Sequence, residues 1–295
     1  MSLTVAELVY LNGALVPCAK AKVPVFDFGF LYGYGLFETM RAYRGKIFLL
    51  DRHIKRLLTS AKEIGIDSVL TQSGLEKACN DTVRANSLQE ARVRLTVTKG
   101  TPGAFPGVST KSTPTVLITA RDYKPLSDSV YGKGFRACIS TWRRDSGSPL
   151  SRLKTTSYLI SLLAKAEAEA AGFDEALLLN ERGSIAEGSI SNVFFVGSGL
   201  VTPPVASGIL PGIARQTVTE LAEKLGIEVV EKELKLADFS QFSEAFLTNS
   251  VMEIMPLVAV RDLEGTVIQI GLGKPGKVTQ RLMTAYREMV ARATV

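Results

Sequence analysis

The sequence predicts a two-domain protein of the mixed α/β (α+β) class. Strand patterns alternate with two helix patterns in its first half and with three helix patterns in its second half. Between the halves, residues 121–134 are polar and contain one proline and two glycines, a composition typical of an interdomain linker. We therefore expect a small α/β domain over residues 1–120, a linker over 121–133 and a larger domain over 134–295.

Turn signals and periodicity place the elements of the first half. Asn12-Gly13 marks the turn of a hairpin, and the glycine-rich residues 29–35 mark a bend. From Asp51 onward apolar residues recur on one helical face, and Gly65 provides a C-terminal stop. The predicted strands span residues 9–16 (as a hairpin), 36–43, 46–50, 91–98 and 115–120, and a second helix spans 74–86.

The second half is predicted by the same signals. Its first helix pattern is rich in alanine and has high intrinsic helix propensity. The predicted strands span residues 135–141, 175–180, 192–196, 228–233 and 244–248, and the predicted helices span 157–171, 213–225 and 277–293.

Composition excludes several classes of function. The net charge of +6 comes from interleaved basic and acidic residues, so no nucleic-acid-binding arm is predicted. Residues 1–10 lack the basic region of a signal peptide, and no apolar stretch approaches the ~20 residues that a membrane helix needs. The three cysteines have no CxxC spacing, which indicates free thiols in a reducing compartment. We expect a soluble, cytoplasmic protein without nucleic-acid or membrane partners.

The histidine content narrows the chemistry further. His53 is the only histidine, and it lies in a basic helical stretch. Hydrolases that use a histidine base and zinc sites built on several histidines are therefore disfavoured. We predict no metal site, and we expect lysine or a carboxylate to be the proton carrier of any enzyme built on this chain.

Lys154 is the first candidate for such chemistry. It lies in the segment SRLKTTS (151–157), immediately before a predicted helix. Thr155, Thr156 or Ser157 is expected to cap that helix, which would fix the lysine at a strand-to-helix junction, as a nucleophilic lysine requires. Taken alone, a lysine in a loop is more often a solvated surface residue.

Three downstream segments favour a functional role for Lys154 over a solvated surface position. Glu187 lies among small residues that allow close approach to a flat ligand, and a carboxylate facing a pyridine nitrogen would keep that nitrogen protonated. Residues 208–215 (GILPGIAR) open a helix whose first amides suit a phosphate. Residues 246–250 (FLTNS) end a strand with three hydrogen-bonding side chains. Each of these segments is also found in ordinary turns and loops, so none is decisive by itself.

Together these segments resemble the fold-type IV family of pyridoxal-phosphate enzymes. The family contains branched-chain aminotransferases, D-amino-acid aminotransferases and aminodeoxychorismate lyases. The resemblance runs from about Tyr10 to the last helix and rests on the order of the segments and on the run EGSISNVF (187–194). It implies a D-amino-acid-aminotransferase-like fold, with a small α/β sandwich and a larger pseudo-barrel domain. It also implies that pyridoxal 5'-phosphate binds in the cleft between the domains, and that the protein is a homodimer.

The resemblance assigns roles to matching positions. Lys154 would bind the cofactor as a Schiff base and move the proton of the substrate's α-carbon. Glu187 would pair with the pyridine nitrogen, and Tyr158 would neighbour the phenolic oxygen of the cofactor. The implied phosphate-binding groups are the side chain of Arg56, the amides of Ile213 and Ala214, and the hydroxyl of Ser250. The implied substrate-binding residues are Tyr32, Phe37, Thr39, Arg41, Arg94, Val251 and Met252.

The subfamily signals diverge. Arg94 matches the carboxylate-binding arginine of branched-chain enzymes, whereas residues 100–107 lack the arginine and histidine pair of the D-amino-acid branch. Tyr158 follows the lysine by four residues rather than five, which resembles both the D-amino-acid and the lyase branches. Thr39 in place of a glycine resembles the lyase branch, which also often has a basic residue at the position of Arg94. The leading hypothesis is an aminotransferase acting on a small L-amino acid of the branched-chain type. The alternative is an aminodeoxychorismate lyase that releases 4-aminobenzoate and pyruvate. A non-catalytic binding protein is a third hypothesis, disfavoured because the candidate lysine, glutamate and arginine are all present.

Overall fold

A computed structural model describes residues 7–66, 70–102 and 112–295. Residues 1–6 and 103–107, which bear on the predictions of no signal peptide and no D-amino-acid specificity, lie outside the described residues. The chain divides into two compact units. The first comprises the described residues up to Lys124, Leu153–Ser157 and Arg292–Val295; the second comprises Pro125–Arg152 and Tyr158–Ala291. The predicted domain bounds stay a prediction.

The first unit is an antiparallel sheet with helices packed on it. Its strands are β1 Leu8–Leu11, β2 Ala14–Pro17, β3 Gly35–Tyr43, β4 Lys46–Ile47, β5 Ala91–Pro102 and β6 Ser112–Asp122, and its helices are α1 Phe28–Tyr32, α2 Leu50–Glu63 and α3 Gln72–Ala85. The strands pair in the order β2-β1-β6-β5-β3-β4. The two long helices cover one face of this sheet and form the core with it.

Strand β3 positions the chemistry of this unit. Successive side chains of a strand point to opposite faces, so its even-numbered and odd-numbered residues separate. Leu36 and Met40 belong to the buried core that β3 forms with α2. Phe37 and Thr39 therefore lie on the opposite face of the strand.

Most elements predicted for the first half are confirmed, with two corrections. Asn12 and Gly13 both have positive φ angles (48° and 101°), as the predicted hairpin turn requires. The predicted bend at residues 29–35 is largely helix α1, because Asp27 caps it through the amide of Gly29 at 2.7 Å. The predicted strand at residues 46–50 ends at Ile47, because α2 begins three residues later.

The second unit is built on a larger mixed sheet. Its strands are β7 Phe135–Arg144, β8 Glu175–Asn180, β9 Ile185–Gly188, β10 Asn192–Val196, β11 Leu200–Thr202, β12 Val229–Glu231, β13 Glu244–Asn249, β14 Glu253–Arg261 and β15 Val267–Gln269. Its helices are α4 Asp128–Lys133, α5 Leu159–Ala170, α6 Ile213–Lys224 and α7 Lys277–Ala293. The strand order is β12-β11-β10-β13-β14-β7-β8-β9, with β15 paired to β14.

The sequence does not predict strand β14, although all of its residues except the last are buried. A continuous apolar run lacks the alternation that marks a strand, and Pro256 in its interior argues against a central strand. Helix α4 lies within the predicted linker. It is anchored there by buried Tyr131, whose hydroxyl donates to the carbonyl of Met252 at 2.9 Å.

Helices that could cross a bilayer would have to be both long and apolar. Among the described residues, no helix meets both conditions.

Candidate active site

The backbone around Lys154 is hydrogen-bonded to β3. The amide of Phe37 donates to the carbonyl of Lys154 at 2.9 Å, and the amide of Thr156 donates to the carbonyl of Gly35 at 2.9 Å. Leu36 and Thr155 form an antiparallel bridge between these two bonds. Although Lys154 follows a 3₁₀ turn in sequence, its backbone is hydrogen-bonded as in a β-strand. This pairing fixes the position of the Cα atom from which its side chain extends.

The predicted helix cap beside Lys154 is wrong. Helix α5 has Tyr158 as its N-cap residue and no side-chain cap. The hydroxyls of Thr156 and Ser157 instead donate to the carbonyl of Gly33, at 2.7 and 3.3 Å. Gly33 has a φ of 66°, and a Cβ atom there would lie 2.5 Å from the Ser157 Oγ. These hydroxyls tie the lysine segment to the end of α1 rather than starting a helix.

The amine of Lys154 lies over an aromatic ring. Its Nζ is 4.5 Å from the ring centre of Phe37, and the guanidinium carbon of Arg94 is 3.8 Å from the same centre. Arg94 reaches this ring from β5, where it is paired with Thr39. One face of β3 therefore brings together four of the predicted site residues, namely Lys154, Phe37, Thr39 and Arg94. The electron-rich face of an aromatic ring attracts cations, so the Phe37 ring stabilises both charges.

Two other residues predicted to bind substrate have different surroundings. Arg41 is buried, pairs with Glu90 at 3.1 Å, and stacks over the rings of Tyr43 and Tyr123 at 4.2 and 4.9 Å. This arginine is anchored within its own unit. Tyr32, at the end of α1, is 55% exposed.

Arg56, predicted to bind the cofactor phosphate, is paired with Glu38. Its Nε and Nη2 donate to the two carboxylate oxygens at 2.8 and 2.6 Å. His53 Nδ1 lies 2.7 Å from Glu38 Oε2. Burial by itself raises the pKa of Glu38, but the charge of Arg56 and the hydrogen bonds from His53 and Arg56 outweigh it and lower the pKa to about 2. Glu38 was not predicted as a site residue.

Burial is also the largest influence on His53, and it lowers the pKa of the imidazole below 6.5 despite the nearby carboxylate. A neutral imidazole next to an ionised carboxylate must carry its proton on Nδ1, so that Nδ1 donates to Glu38.

Acidification should therefore destabilise the folded chain through His53. Because the folded pKa is depressed, the unfolded chain binds more protons below pH 6.5, and stability falls as the pH falls. We expect the unfolding free energy to fall by about 1 kcal/mol between pH 6.5 and 5.5, with the slope approaching about 1.4 kcal/mol per pH unit at lower pH. Urea titrations at a series of pH values measure this slope. His53→Asn, which keeps a donor near the Nδ1 position, should flatten it; equal slopes in both proteins would contradict the assignment.

Glu187 is a buried carboxylate that receives three donors. It lies on β9 opposite Leu178. Its Oε2 accepts from the amide of Leu210 at 3.0 Å and from Asn192 Nδ2 at 3.1 Å, and its Oε1 is 3.2 Å from Arg144 Nη2. These contacts are all hydrogen-bond donors, so the surroundings of Glu187 complement a negative charge.

Arg144 was not predicted, yet it connects three of the predicted segments. In addition to its pair with Glu187, its Nε donates to the carbonyl of Gly208 at 2.9 Å and its Nη2 to the carbonyl of Ser151 at 2.6 Å. It therefore joins the loop before the lysine segment, the glutamate, and the loop that opens α6. Its only sequence signal is its charge, which the neighbouring Arg143 shares.

Tyr158 lies close to this glutamate. Its hydroxyl donates to the carbonyl of Ser189 at 3.2 Å. Burial, with the charge of Glu187 as the next cause, raises the pKa of Tyr158 to about 12. The phenol is therefore a neutral hydrogen-bond donor at physiological pH.

Helix α6 begins without a side-chain cap. Its N-cap residue is Gly212, and the first-turn residues Ile213 and Ala214 are buried. A Cβ atom at Gly212 would lie 2.0 Å from Asn192 Oδ1, so only glycine fits there. The first amides of a helix have no acceptor within it, and their partial positive charge favours an anion.

The turn after β13 contains the remaining predicted residues, Ser250, Val251 and Met252. The amides of Val251 and Met252 donate to Asn249 Oδ1 at 2.9 and 2.8 Å. The two amides predicted to bind a substrate carboxylate thus both donate to one oxygen atom, that of the Asn249 side chain.

Comparison with known proteins decides the family. The family model described as "Amino-transferase class IV" matches residues 35–260 of this chain. The chain belongs to this family. Its matched residues extend from the first residue of β3 almost to the end of β14, and so include Lys154 and Glu187. The predicted family is confirmed.

Relatives of this class IV aminotransferase carry both names that the sequence left open. A Methanocaldococcus jannaschii protein, named as a candidate branched-chain-amino-acid aminotransferase, is 40% identical over 283 residues, which are 95% of this chain and 96% of the relative. An aminodeoxychorismate lyase of Bacillus subtilis is 33% identical over 286 residues, 96% of this chain and 94% of the lyase. The crystal structure of the branched-chain amino acid aminotransferase from Thermobaculum terrenum, in its PLP-bound holo-form, superposes with a TM-score of 0.85 at 32% identity, covering 97% and 94% of the two chains. The predicted fold class is confirmed by this likeness.

Proposed function

We propose that this chain is a pyridoxal-phosphate-dependent aminotransferase that transfers the amino group of a small L-amino acid, of the branched-chain type, to a 2-oxo acid. The observation that carries the proposal is Lys154. Its backbone is hydrogen-bonded to β3, and its amine lies 4.5 Å from the ring centre of Phe37 in a member of the class IV family. A lysine fixed in this way is suited to bond covalently to an aldehyde and then to carry a proton.

The residues of the chain fit the proposed cofactor. The start of α6, which has no side-chain cap, offers backbone amides to a phosphate. Glu187, surrounded by donors that complement its charge, can accept a hydrogen bond from a protonated ring nitrogen. The neutral phenol of Tyr158 has one O–H, which donates to the carbonyl of Ser189 and would turn to donate to a phenolic oxygen.

Each residue would then have one task. When bound, the protonated pyridine ring of the cofactor withdraws electrons from the bond that breaks at the substrate's α-carbon. Lys154 would hold the cofactor through its amine and would carry the proton taken from the substrate's α-carbon. Glu187 would hold the ring nitrogen in its protonated form. Arg56, the amides of Ile213 and Ala214, and Ser250 would bind the phosphate.

The substrate carboxylate has two proposed sites. Arg94, held over the ring of Phe37 beside Thr39, is a fixed cation of the kind that pairs with carboxylates. The amides of Val251 and Met252 already converge on the oxygen of Asn249, and a carboxylate oxygen replacing it would keep both hydrogen bonds. Tyr32 and Arg41 stay in the proposal as residues that line the substrate pocket.

The lyase stays the second candidate. The identity to the Bacillus subtilis lyase over 96% of this chain favours it, and the four-residue spacing from Lys154 to Tyr158 agrees with it. Both reactions begin with removal of the same α-proton, so substitution of Lys154 cannot separate them.

A half-reaction separates the two functions. The protein loaded with pyridoxal phosphate is mixed separately with L-leucine, L-glutamate and D-alanine while its visible absorbance is recorded and the cofactor products are separated by chromatography. An aminotransferase should lose its visible band with an L-amino acid and yield pyridoxamine 5'-phosphate. A lyase should release pyruvate from aminodeoxychorismate and leave the band unchanged with all three amino acids. A protein that does neither would refute both functions.

We also propose that the chain forms a homodimer. The segment from Val23 to Tyr32 exposes a set of large apolar side chains of which Phe26 and Phe30 are 69% and 75% exposed. A concentrated apolar surface of this kind is uncommon on a monomer and is typical of an interface, and a second copy of the chain is the proposed partner.

Phe30→Glu is expected to convert the dimer to a monomer, because an interface that buries this ring would have to bury an unpaired charge. Sedimentation velocity at micromolar concentration measures the change in mass. Leu272→Glu is a matched control, since Leu272 is 79% exposed but belongs to the other unit. If the Phe30 variant keeps the wild-type mass, this surface is not the interface.

The cytoplasm is the proposed location. Cys18, Cys79 and Cys138 form no disulfide, and free thiols of this kind are typical of a reducing compartment.

A further inference from the structure

Glu38 is an ionised side chain on the core-facing side of β3. It shares that side with Leu36 and Met40, which are buried among apolar residues, and is itself only 1% exposed. A carboxylate in such surroundings loses its hydration and must be compensated by donors. All of its described contacts come from one helix, α2, where His53 and Arg56 are separated by three residues and lie on the same face.

These contacts constrain the guanidinium of Arg56. Two of its nitrogens donate to the two oxygens of one buried carboxylate, at 2.8 and 2.6 Å. Because a guanidinium is planar, this paired contact sets the plane in which its remaining N–H groups point. The bond from His53 in turn restricts the carboxylate. An arginine side chain with many rotamers is thereby reduced to one orientation.

We propose that Glu38 is a positioning residue: it orients Arg56, through their bidentate contact, to bind the phosphate of the cofactor. This inference rests on the proposed function, in which Arg56 is a phosphate ligand. Glu38 itself would not touch the cofactor. Its effect would be to hold the guanidinium in the binding orientation before the phosphate arrives, which lowers the entropic cost of binding.

If Glu38 acted only through its charge, its removal would strengthen phosphate binding rather than weaken it. Removing a negative charge next to Arg56 would leave a more positive site, and Coulomb attraction alone would then bind a phosphate more tightly. The sign of the change in phosphate binding therefore distinguishes orientation from charge.

The test compares pyridoxal 5'-phosphate with pyridoxal, which has the same aldehyde but no phosphate. The ratio of their dissociation constants measures what the phosphate contributes to binding. It is determined for the wild-type apoprotein, Glu38→Gln, Arg56→Ala and the double variant. In Glu38→Gln we expect the preference for the phosphorylated form to fall by roughly tenfold to a hundredfold, the size of one charge-assisted hydrogen bond. In the Arg56→Ala background the same change should have no further effect.

A control separates positioning from general stability. Asp27 is a buried carboxylate of the same unit that accepts from Gly29, Thr98 and Thr115. Asp27→Asn should lower the melting temperature without changing the preference for phosphate. If Glu38→Gln does not fold, Glu38→Asp keeps the charge but withdraws it from Arg56, and it should lower the preference severalfold.

The outcomes that overturn the inference are distinct from failure of the proposed function. An unchanged or increased preference in a folded Glu38 variant, with a reduced preference in Arg56→Ala, overturns the positioning role alone. An equal loss in the Arg56→Ala background overturns it as well, because Glu38 would then act through another group. An unchanged preference in Arg56→Ala would show that Arg56 does not bind the phosphate, and it would refute that part of the proposed function.

Discussion

Lys154→Ala is expected to reduce kcat by at least about ten-thousandfold, because both the covalent bond to the cofactor and the transfer of the α-proton depend on this amine. The fold should persist, since the segment is held to β3 through the backbone of Lys154 and its neighbours rather than through the lysine side chain. Steady-state turnover with L-leucine and 2-oxoglutarate measures the effect. Borohydride reduction followed by peptide mass spectrometry should place the cofactor on residue 154 in the wild type only.

Lys99→Ala is the matched control for that variant. Lys99 belongs to the same unit, and its Nζ also lies over an aromatic ring, 5.9 Å from the centre of Tyr34. Its described hydrogen bond, to the carbonyl of Gly65, is structural. Lys99→Ala should therefore keep its turnover. Near-normal turnover of Lys154→Ala would refute the assignment of the catalytic lysine.

Glu187→Gln is expected to lower kcat by roughly tenfold to a hundredfold. A hydrogen bond to a charged acceptor contributes about 1.5–3 kcal/mol, and the neutral amide of glutamine does not supply this stabilisation. The glutamine nitrogen would also have to face Arg144, or both Asn192 and the amide of Leu210, all of which are donors. The half-reaction rate with L-leucine, measured by stopped flow, isolates this step from product release.

Stability must be separated from chemistry in this variant too. Glu244 is another buried carboxylate of the second unit; it accepts from the amides of Val278 and Thr279 and so caps the start of α7. Glu244→Gln should lower the melting temperature while the half-reaction rate stays near that of the wild type. A wild-type rate in Glu187→Gln would mean that Glu187 does not hold the ring nitrogen.

The candidate side chains that could be predicted are those with a local signal in the sequence. Lys154 precedes a helix pattern, and Glu187 lies in a run of small residues between apolar strands, and the resemblance to a known family, carried by these segments together, selects both. Glu38 and Arg144 could not be selected in this way. Each is one charged residue among many, and only its partners, which lie on other elements, show that it is buried and paired.

The sequence by itself determined the family, the candidate lysine and most of the regular elements, including the final helix with the same bounds as α7. The regular elements depend on periodicity, propensity and turn residues, which act over a few neighbouring positions, whereas the family and the lysine depend on the resemblance of short segments in a fixed order. Only the tertiary structure decided that the Lys154 segment pairs with β3, that the buried apolar run after β13 is strand β14, and that Glu38 pairs with Arg56. Those features depend on contacts between residues far apart in the chain, and such contacts leave no periodic trace in the sequence near either partner.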